Sequence, residues 1–207
     1  QAAAQLGQTE SALALARQAT ERDAAYAVGW KQLGALQLQA DQFAEALAAL
    51  KLAATLDPQN ASTLRDLSTA QWRAGQTNAA LDSLRQACDL EPANARWRRD
   101  LAVGLQASGQ AEPAVATFRQ ALELDPTDAA SWRDLGWTLW ALDRRPEALE
   151  ALDKAIAGGV AARRDVELQV VAQLIEDQQP EEALAALARW EPRAQLLDFA
   201  VPLVEKG

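Results

Sequence analysis

The chain contains no histidine, no methionine and a single cysteine. Without an imidazole there is no side chain to carry protons near neutral pH, to ligate a metal or to activate a hydroxyl. The usual triads and His-based metal sites are therefore excluded together. Cys88 cannot close an internal disulfide, and nothing basic is arranged beside it to lower its pKa, so it reads as a small packing residue. There is no CxxC pair, no P-loop and no GxGxxG. No apolar run reaches the about 18–20 residues of a membrane span, so no insertion by this segment is expected. Positive charge is scarce as well: 20 Lys and Arg face 29 Asp and Glu, a net charge of −9. Non-specific attraction to a nucleic-acid backbone needs a positive field, so nucleic acid is not an expected partner. Neither a cofactor nor catalysis is expected from this inventory. The compartment stays open.

What the chain does have is a period. Ala46, Ala80, Ala114 and Ala148 stand 34 residues apart, followed in step by Leu47, Leu81, Val115 and Leu149. Pro58, Pro92 and Pro126 keep the same interval. A fixed period of this length marks a helical repeat array, in which each unit buries its apolar face only against its neighbours. With Ala27 as position 1, complete units run 27–60, 61–94, 95–128 and 129–162. Position 4 holds Trp30, Leu64, Arg98 and Trp132, and position 7 is always Leu. Position 8 holds Gly34, Ser68, Ala102 and Gly136, position 20 is always Ala, and position 24 holds Leu50, Leu84, Phe118 and Leu152. Positions 4, 7, 8 and 11 share one face of a first helix, A; positions 20, 24 and 27 share one face of a second, B. Small residues at 8, 20 and 27 allow close approach, and large ones at 4, 7 and 24 fill the space between.

The boundaries are equally periodic. Asn60, Asn94 and Asp128 at position 34 are candidate N-caps of the next helix A. Asp57, Glu91 and Asp125 each precede a proline, which pushes them out of the α region and ends helix B. Gly75 and Gly109 at position 15 suit the A–B turn. Pro113, Pro146 and Pro180 lie near the start of helix B, where a missing N–H does no harm. Glu45, Glu112, Glu147 and Glu182 there face the positive end of the helix dipole.

The W-x-x-L-G pattern, with small residues at 20 and 27 and Pro at 32, resembles the tetratricopeptide repeat over essentially the whole chain. The resemblance implies an all-α fold of helix-turn-helix units in a right-handed superhelical solenoid. It also implies a non-catalytic scaffold that binds another protein on its concave surface. Counting backward puts Ala12 at position 20 and Gly7 at position 15, so 1–26 reads as the tail of a helix A, a turn at Gly7 and a whole helix B. Residues 163–192 form a divergent unit, with Trp190 in place of the usual small residue. Residues 193–207, with Leu196, Phe199, Ala200 and Leu203, read as another helix A. Neither end falls on a unit boundary, so a window within a longer array is expected. The register slips after Ala157, at Gly158-Gly159-Val160, where a change of pitch is expected.

In the tetratricopeptide family, helix A presents positions 2, 5, 9 and 12, with 6 nearby, to the concave side. Position 5 here reads Lys31, Arg65, Arg99, Arg133, and position 6 reads Gln32, Asp66, Asp100, Asp134. Arg96 stands at position 2, Trp72 and Trp140 at 12, and Trp137 at 9. One reading makes the basic column half of an ion-pair ladder with the acidic residues of neighbouring units. The other makes Lys31, Arg65, Arg99, Arg133, Arg96, Trp72, Trp137 and Trp140 a ligand groove, since Trp and Arg dominate binding hot spots. The two are compatible, because a guanidinium has five donors. The family's carboxylate clamp for chaperone tails is rejected: Ala35 stands where it needs Asn, and Asp66 and Asp100 would repel a carboxylate. Trp30 and Trp132 are expected to be core fillers, and Trp97 at position 3 a partly exposed packing residue.

The Ala-rich, Trp-bearing units are also similar in style to the periplasmic arrays of bacterial exopolysaccharide export proteins, which recruit polysaccharide-modifying enzymes. That likeness implies a biofilm export complex anchored at the outer membrane, and a periplasmic location. Two alternatives remain open: direct polysaccharide binding through the groove Trp and Arg residues, and a regulatory array fused to a transferase domain outside this segment.

Overall fold

A computed structural model describes residues 2–159 and 163–176, with Glu181 and Ala185. Ten helices follow one another without a strand among the described residues. They are α1 (Ala2–Arg22), α2 (Ala27–Gln39), α3 (Phe43–Leu56), α4 (Ala61–Arg73), α5 (Thr77–Leu90), α6 (Ala95–Ala107), α7 (Ala111–Leu124), α8 (Ala129–Ala141), α9 (Arg145–Ala157) and α10 (Arg163–Glu176). α2/α3, α4/α5, α6/α7 and α8/α9 pair within units, and α3 on α4, α5 on α6 and α7 on α8 stack the units. The solenoid of helix pairs expected from the 34-residue period is the fold observed.

The boundaries form as the residue types dictate. Asn60 Oδ1 accepts from the Thr63 N–H at 3.1 Å, Asn94 Oδ1 from Arg96 N–H at 3.1 Å, and Asp128 Oδ1 from Ala130 N–H at 3.1 Å. Each cap satisfies one of the orphan donors of a helix start. The pre-proline residues Asp57, Glu91 and Asp125 are extended, with φ of −135°, −127° and −135°. At the A–B turns Gly75 and Gly109 have φ of 73° and 79°. The same position in the outer units is filled by Asp41 and Asp143, at φ 56° and 58°, since Asp tolerates the left-handed region better than most residues. The 76 N–H then reaches back to the Gln71 carbonyl at 2.8 Å and the 75 N–H to that of Trp72 at 3.0 Å, a Schellman closure repeated in all four units.

The interior follows the columns. Ala46, Ala80, Ala114 and Ala148 are buried, as are Leu50, Leu84, Phe118 and Leu152 opposite the small residues of helix A. At Gly34 the helices approach closely: a Cβ there would lie 2.5 Å from Leu50 Cγ. Gly136 repeats the arrangement, with 2.7 Å to Leu152 Cγ.

Two expectations are corrected. No turn interrupts α1 at Gly7; the helix runs from Ala2 to Arg22. An unbroken helix needs one costly nucleus where a turn at Gly7 would need two, and the Ala-rich stretch favours continuing as helix. Trp97 is not partly exposed but buried, packed with Ala61, Leu64 and Ala87. Trp30 and Trp132 are half-buried, each packed against a core cluster, as expected of fillers. Residues 160–162 of the register slip, Pro180, Glu182, Trp190 and the expected helix over 193–207 lie outside the described residues.

Position 4 has a second duty that the pattern did not reveal. The Trp30 indole N–H donates to the Ala24 carbonyl at 2.9 Å, and the Trp132 indole to that of Pro126 at 2.9 Å. In the third unit Arg98 takes this role toward the Pro92 carbonyl. Each bond ties helix A to position 32 of the turn before it, satisfying a carbonyl beyond the end of helix B.

Candidate functional site

Helices α2, α4, α6 and α8 line one side of the array, and the basic column runs across them. Arg65 Nε donates to Asp100 Oδ2 at 3.1 Å, and Arg65 NH1 contacts Asp66 Oδ1 at 3.3 Å. Arg99 NH2 reaches Asp134 Oδ2 at 3.4 Å, with its Nε 3.7 Å from Asp128. A residue at position 5 thus pairs with position 6 of the following unit, 35 residues on. The ladder ends at Arg133, which turns to Asp134 of its own helix at 2.7 Å, and it never includes Lys31, which donates to Ser62 Oγ. Burial alone would lower the Arg65 pKa, but the charges and hydrogen bonds of Asp100 and Asp66 hold it above the ordinary guanidinium value.

The remaining expected residues fall in different places. Trp72 is half-buried and lines a concavity of about 250 Å³ between α4 and α6. Arg65, Thr69 and Arg73 share its α4 wall, Asp100, Val103 and Ala107 its α6 wall, and Ala80 and Leu84 of α5 its floor. Arg96 is exposed, its guanidinium carbon 5.9 Å from the Trp97 ring centre. Trp137 and Trp140 do meet side by side, with ring centres 6.3 Å apart and planes at 65°. Both are half-buried against Leu152 and the valines of α10, and the Arg145 guanidinium lies 5.3 Å over Trp140. The structure therefore brings Arg65 and Trp72 into one concavity and keeps Trp137 and Trp140 apart from it.

The concavity lies beside α6, where the third unit departs from the pattern. Position 10 is Leu36, Ala70 and Thr138 elsewhere but Gly104 here, where an added Cβ would lie 3.0 Å from Leu81 Cδ2 and 3.5 Å from Leu84 Cδ1, so α6 packs closely on α5 at this wall of the concavity. Position 3 is Gly29, Thr63 and Ser131 elsewhere, all buried, whereas Trp97 fills it here. The ring packs there against Ala61 and Leu64 of α4. The indole N–H donates to Glu91 Oε2 at 2.7 Å, which fixes the ring against the preceding turn.

Arg73 escaped the sequence reading, and Val103, at a concave position, was not singled out. Arg73 stands at position 13, one helical turn beyond position 9 on the same face, and that periodicity was the available signal. Val103 at position 9 is 38% exposed, the type of residue normally turned inward. Cys88 is half-buried, and burial pushes its thiol pKa up, so it stays protonated and unreactive near neutral pH. Among the described residues no group of three or more acidic or Cys side chains could hold a metal.

A family model of the tetratricopeptide repeat matches residues 105–160. No curated protein sequence matches the chain. Among solved structures, MamA superposes with a TM-score of 0.70 at 19% identity, over 75% of this chain and 91% of its own. MamA from Desulfovibrio magneticus RS-1 gives 0.69 at 19% identity, over 76% and 89%. YrrB, a TPR protein with an unusual peptide-binding site, gives 0.67 at 25% identity, over 80% and 86%. The fold is a tetratricopeptide-type solenoid.

Proposed function

We propose that this chain is a non-catalytic scaffold that binds another protein along the surface of α2, α4, α6 and α8. The observation that carries the reading is the concavity between α4 and α6, where Trp72, Val103 and Arg73 remain accessible beside the Arg65–Asp100 ion pair. Pockets of this kind, an aromatic wall with cations at the rim, are where interface energy concentrates. The peptide-binding character of YrrB, which shares the fold, supports it. The test is site-specific photocrosslinking in the native cell, with the crosslinker at position 103 and, as control, at 124 on the exposed end of α7. Protein adducts from 103 and none from 124 are expected. Equal yields from both, or none from 103, overturn the scaffold reading.

The finer setting, an exopolysaccharide export complex in the periplasm with a polysaccharide-modifying enzyme as partner, rests on the style of the repeats alone. A full reading frame with a signal peptide upstream and alternating strands downstream would support it; a downstream catalytic domain would favour the fused-transferase alternative. Direct polysaccharide binding draws its support from the pairing of Trp137 with Trp140. Those rings face each other edge-to-plane and pack on α10, which leaves less free face for stacking on sugars. Unchanged polymer binding by Trp137→Ala and Trp140→Ala variants would remove it.

A further inference from the structure

Charge and shape together narrow the kind of segment the groove accepts. Across positions 2, 5, 6, 9, 12 and 13 of α2, α4, α6 and α8 stand six cations: Lys31, Arg65, Arg73, Arg96, Arg99 and Arg133. The same positions hold three carboxylates, Asp66, Asp100 and Asp134. The whole chain has the opposite balance, with 20 cations and 29 carboxylates. The groove is thus a positive strip on a negative molecule. All three carboxylates are engaged by Arg65, Arg99 or Arg133. Lys31, Arg73 and Arg96 have no carboxylate partner among the described residues; Lys31 donates to Ser62, and the two arginines lie over the Phe43 and Trp97 rings. A basic segment would find only spent acceptors, whereas an acidic one finds three cations with donors to spare.

Shape adds the second requirement. Between these cations the α4/α6 concavity is lined largely by carbon, from Trp72, Val103, Ala107, Ala80 and Leu84. Its volume of about 250 Å³ exceeds the roughly 150 Å³ at which an apolar cavity already accepts a benzene ring.

We infer that the groove takes an acidic peptide segment that inserts one large apolar side chain between Trp72 and Val103. This rests on the scaffold reading above. The apolar side chain supplies most of the affinity by burial, and the exposed cations supply orientation, on-rate and discrimination against basic segments. Exposed charges are screened over about 10 Å at 0.1 M salt, so binding weakens as salt rises.

The experiment is selection of a phage-displayed random dodecapeptide library on the purified chain, with recovered peptides remeasured by fluorescence anisotropy. Recovered peptides are expected to be net negative with one recurrent Leu, Ile, Phe or Trp. Binding should fall at least tenfold on Val103→Glu and on Arg73→Glu, and hold on Leu124→Glu, a control on exposed surface outside the groove. Both test residues are exposed; a melting curve matching the parent confirms that each variant is folded, and Ala107→Asp replaces any that is not. Neutral or basic recovered peptides, full binding by Val103→Glu, or no recovered peptides would overturn the inference. Crosslinks from position 103 in the cell alongside non-acidic peptides would overturn it while leaving the scaffold reading standing. Absence of both crosslinks and peptides would remove the two together.

Discussion

Arg65 of one unit and Asp100 of the next meet at 3.1 Å between Nε and Oδ2, 35 residues apart in sequence and one step apart in the solenoid. Arg99 and Asp134 repeat the step. A bond that recurs with the repeat fixes the register between units, because slipping one unit against the next breaks every rung. The side chains are 35% and 23% exposed, so water screens the pair and its worth is modest. A double-mutant cycle on Arg65→Gln and Asp100→Asn should give a coupling of about 0.5–1 kcal/mol by urea unfolding. A coupling indistinguishable from zero would leave the ladder as geometry without energy.

The close approach at Gly34 makes an opposite demand. Replacing a helical Gly by Ala ordinarily stabilises a helix by about 1 kcal/mol. Here the added Cβ would lie 2.5 Å from Leu50 Cγ, and Leu50 is fully buried among Ala46, Leu67 and Ala70. Overpacking of this kind costs about 1–3 kcal/mol, so Gly34→Ala should lower the melting temperature by a few degrees. A rise instead would mean that Leu50 swings aside at no cost.

Glu91 links stability to pH through Trp97. Hydrogen bonds from Asn94 and then from Trp97 hold its carboxyl pKa below the usual glutamate value. A pKa lower in the folded than in the unfolded chain means the charged form favours folding. That contribution is complete above the ordinary glutamate value of about 4.3 and is lost as pH falls through the lower folded value. Tryptophan fluorescence followed from pH 6 to pH 3 should change in the parent below about pH 4.3, and Glu91→Gln should flatten that limb. An identical acid limb in both proteins would assign it to other carboxylates.

Much of this was legible in the sequence because it repeats. The caps Asn60, Asn94 and Asp128, the turn glycines Gly75 and Gly109, and the buried alanine column all follow from local rules applied at a fixed interval. The concavity was not legible, because it depends on how three helices, α4, α5 and α6, sit together and not on any one column. Trp97 in a slot for small residues and Gly104 in a slot for larger ones each look like noise in a column. The ladder across units was one reading of the adjacent Arg and Asp columns, but those columns also allow bonding along one helix. Here Arg65 and Arg99 take the first route and Arg133 the second. Gly7 shows the converse: the register placed a turn there, but a turn needs a packed helix on each side.

A comparison between units leads to the last prediction. Gln71 at position 11 is buried, and its Oε1 accepts from Ser83 Oγ at 2.8 Å. Gln37 occupies the same position one unit earlier and is equally buried, but the residue that should serve it is Ala49, and its Oε1 has no partner among the described residues. A buried acceptor left unpaired costs about 1–3 kcal/mol. The third and fourth units avoid the problem with Leu105 and Leu139, both buried at this position without a polar atom. Gln37→Leu should therefore raise stability by about 1 kcal/mol, or a few degrees in melting temperature. Ala49→Ser should recover part of the same gain by supplying the hydroxyl that Ser83 supplies to Gln71. The same Leu substitution at Gln71 should gain less or lose, because it would orphan Ser83. If Gln37→Leu and Gln71→Leu shift the melting temperature alike, the missing bond at Gln37 is not what separates the two sites.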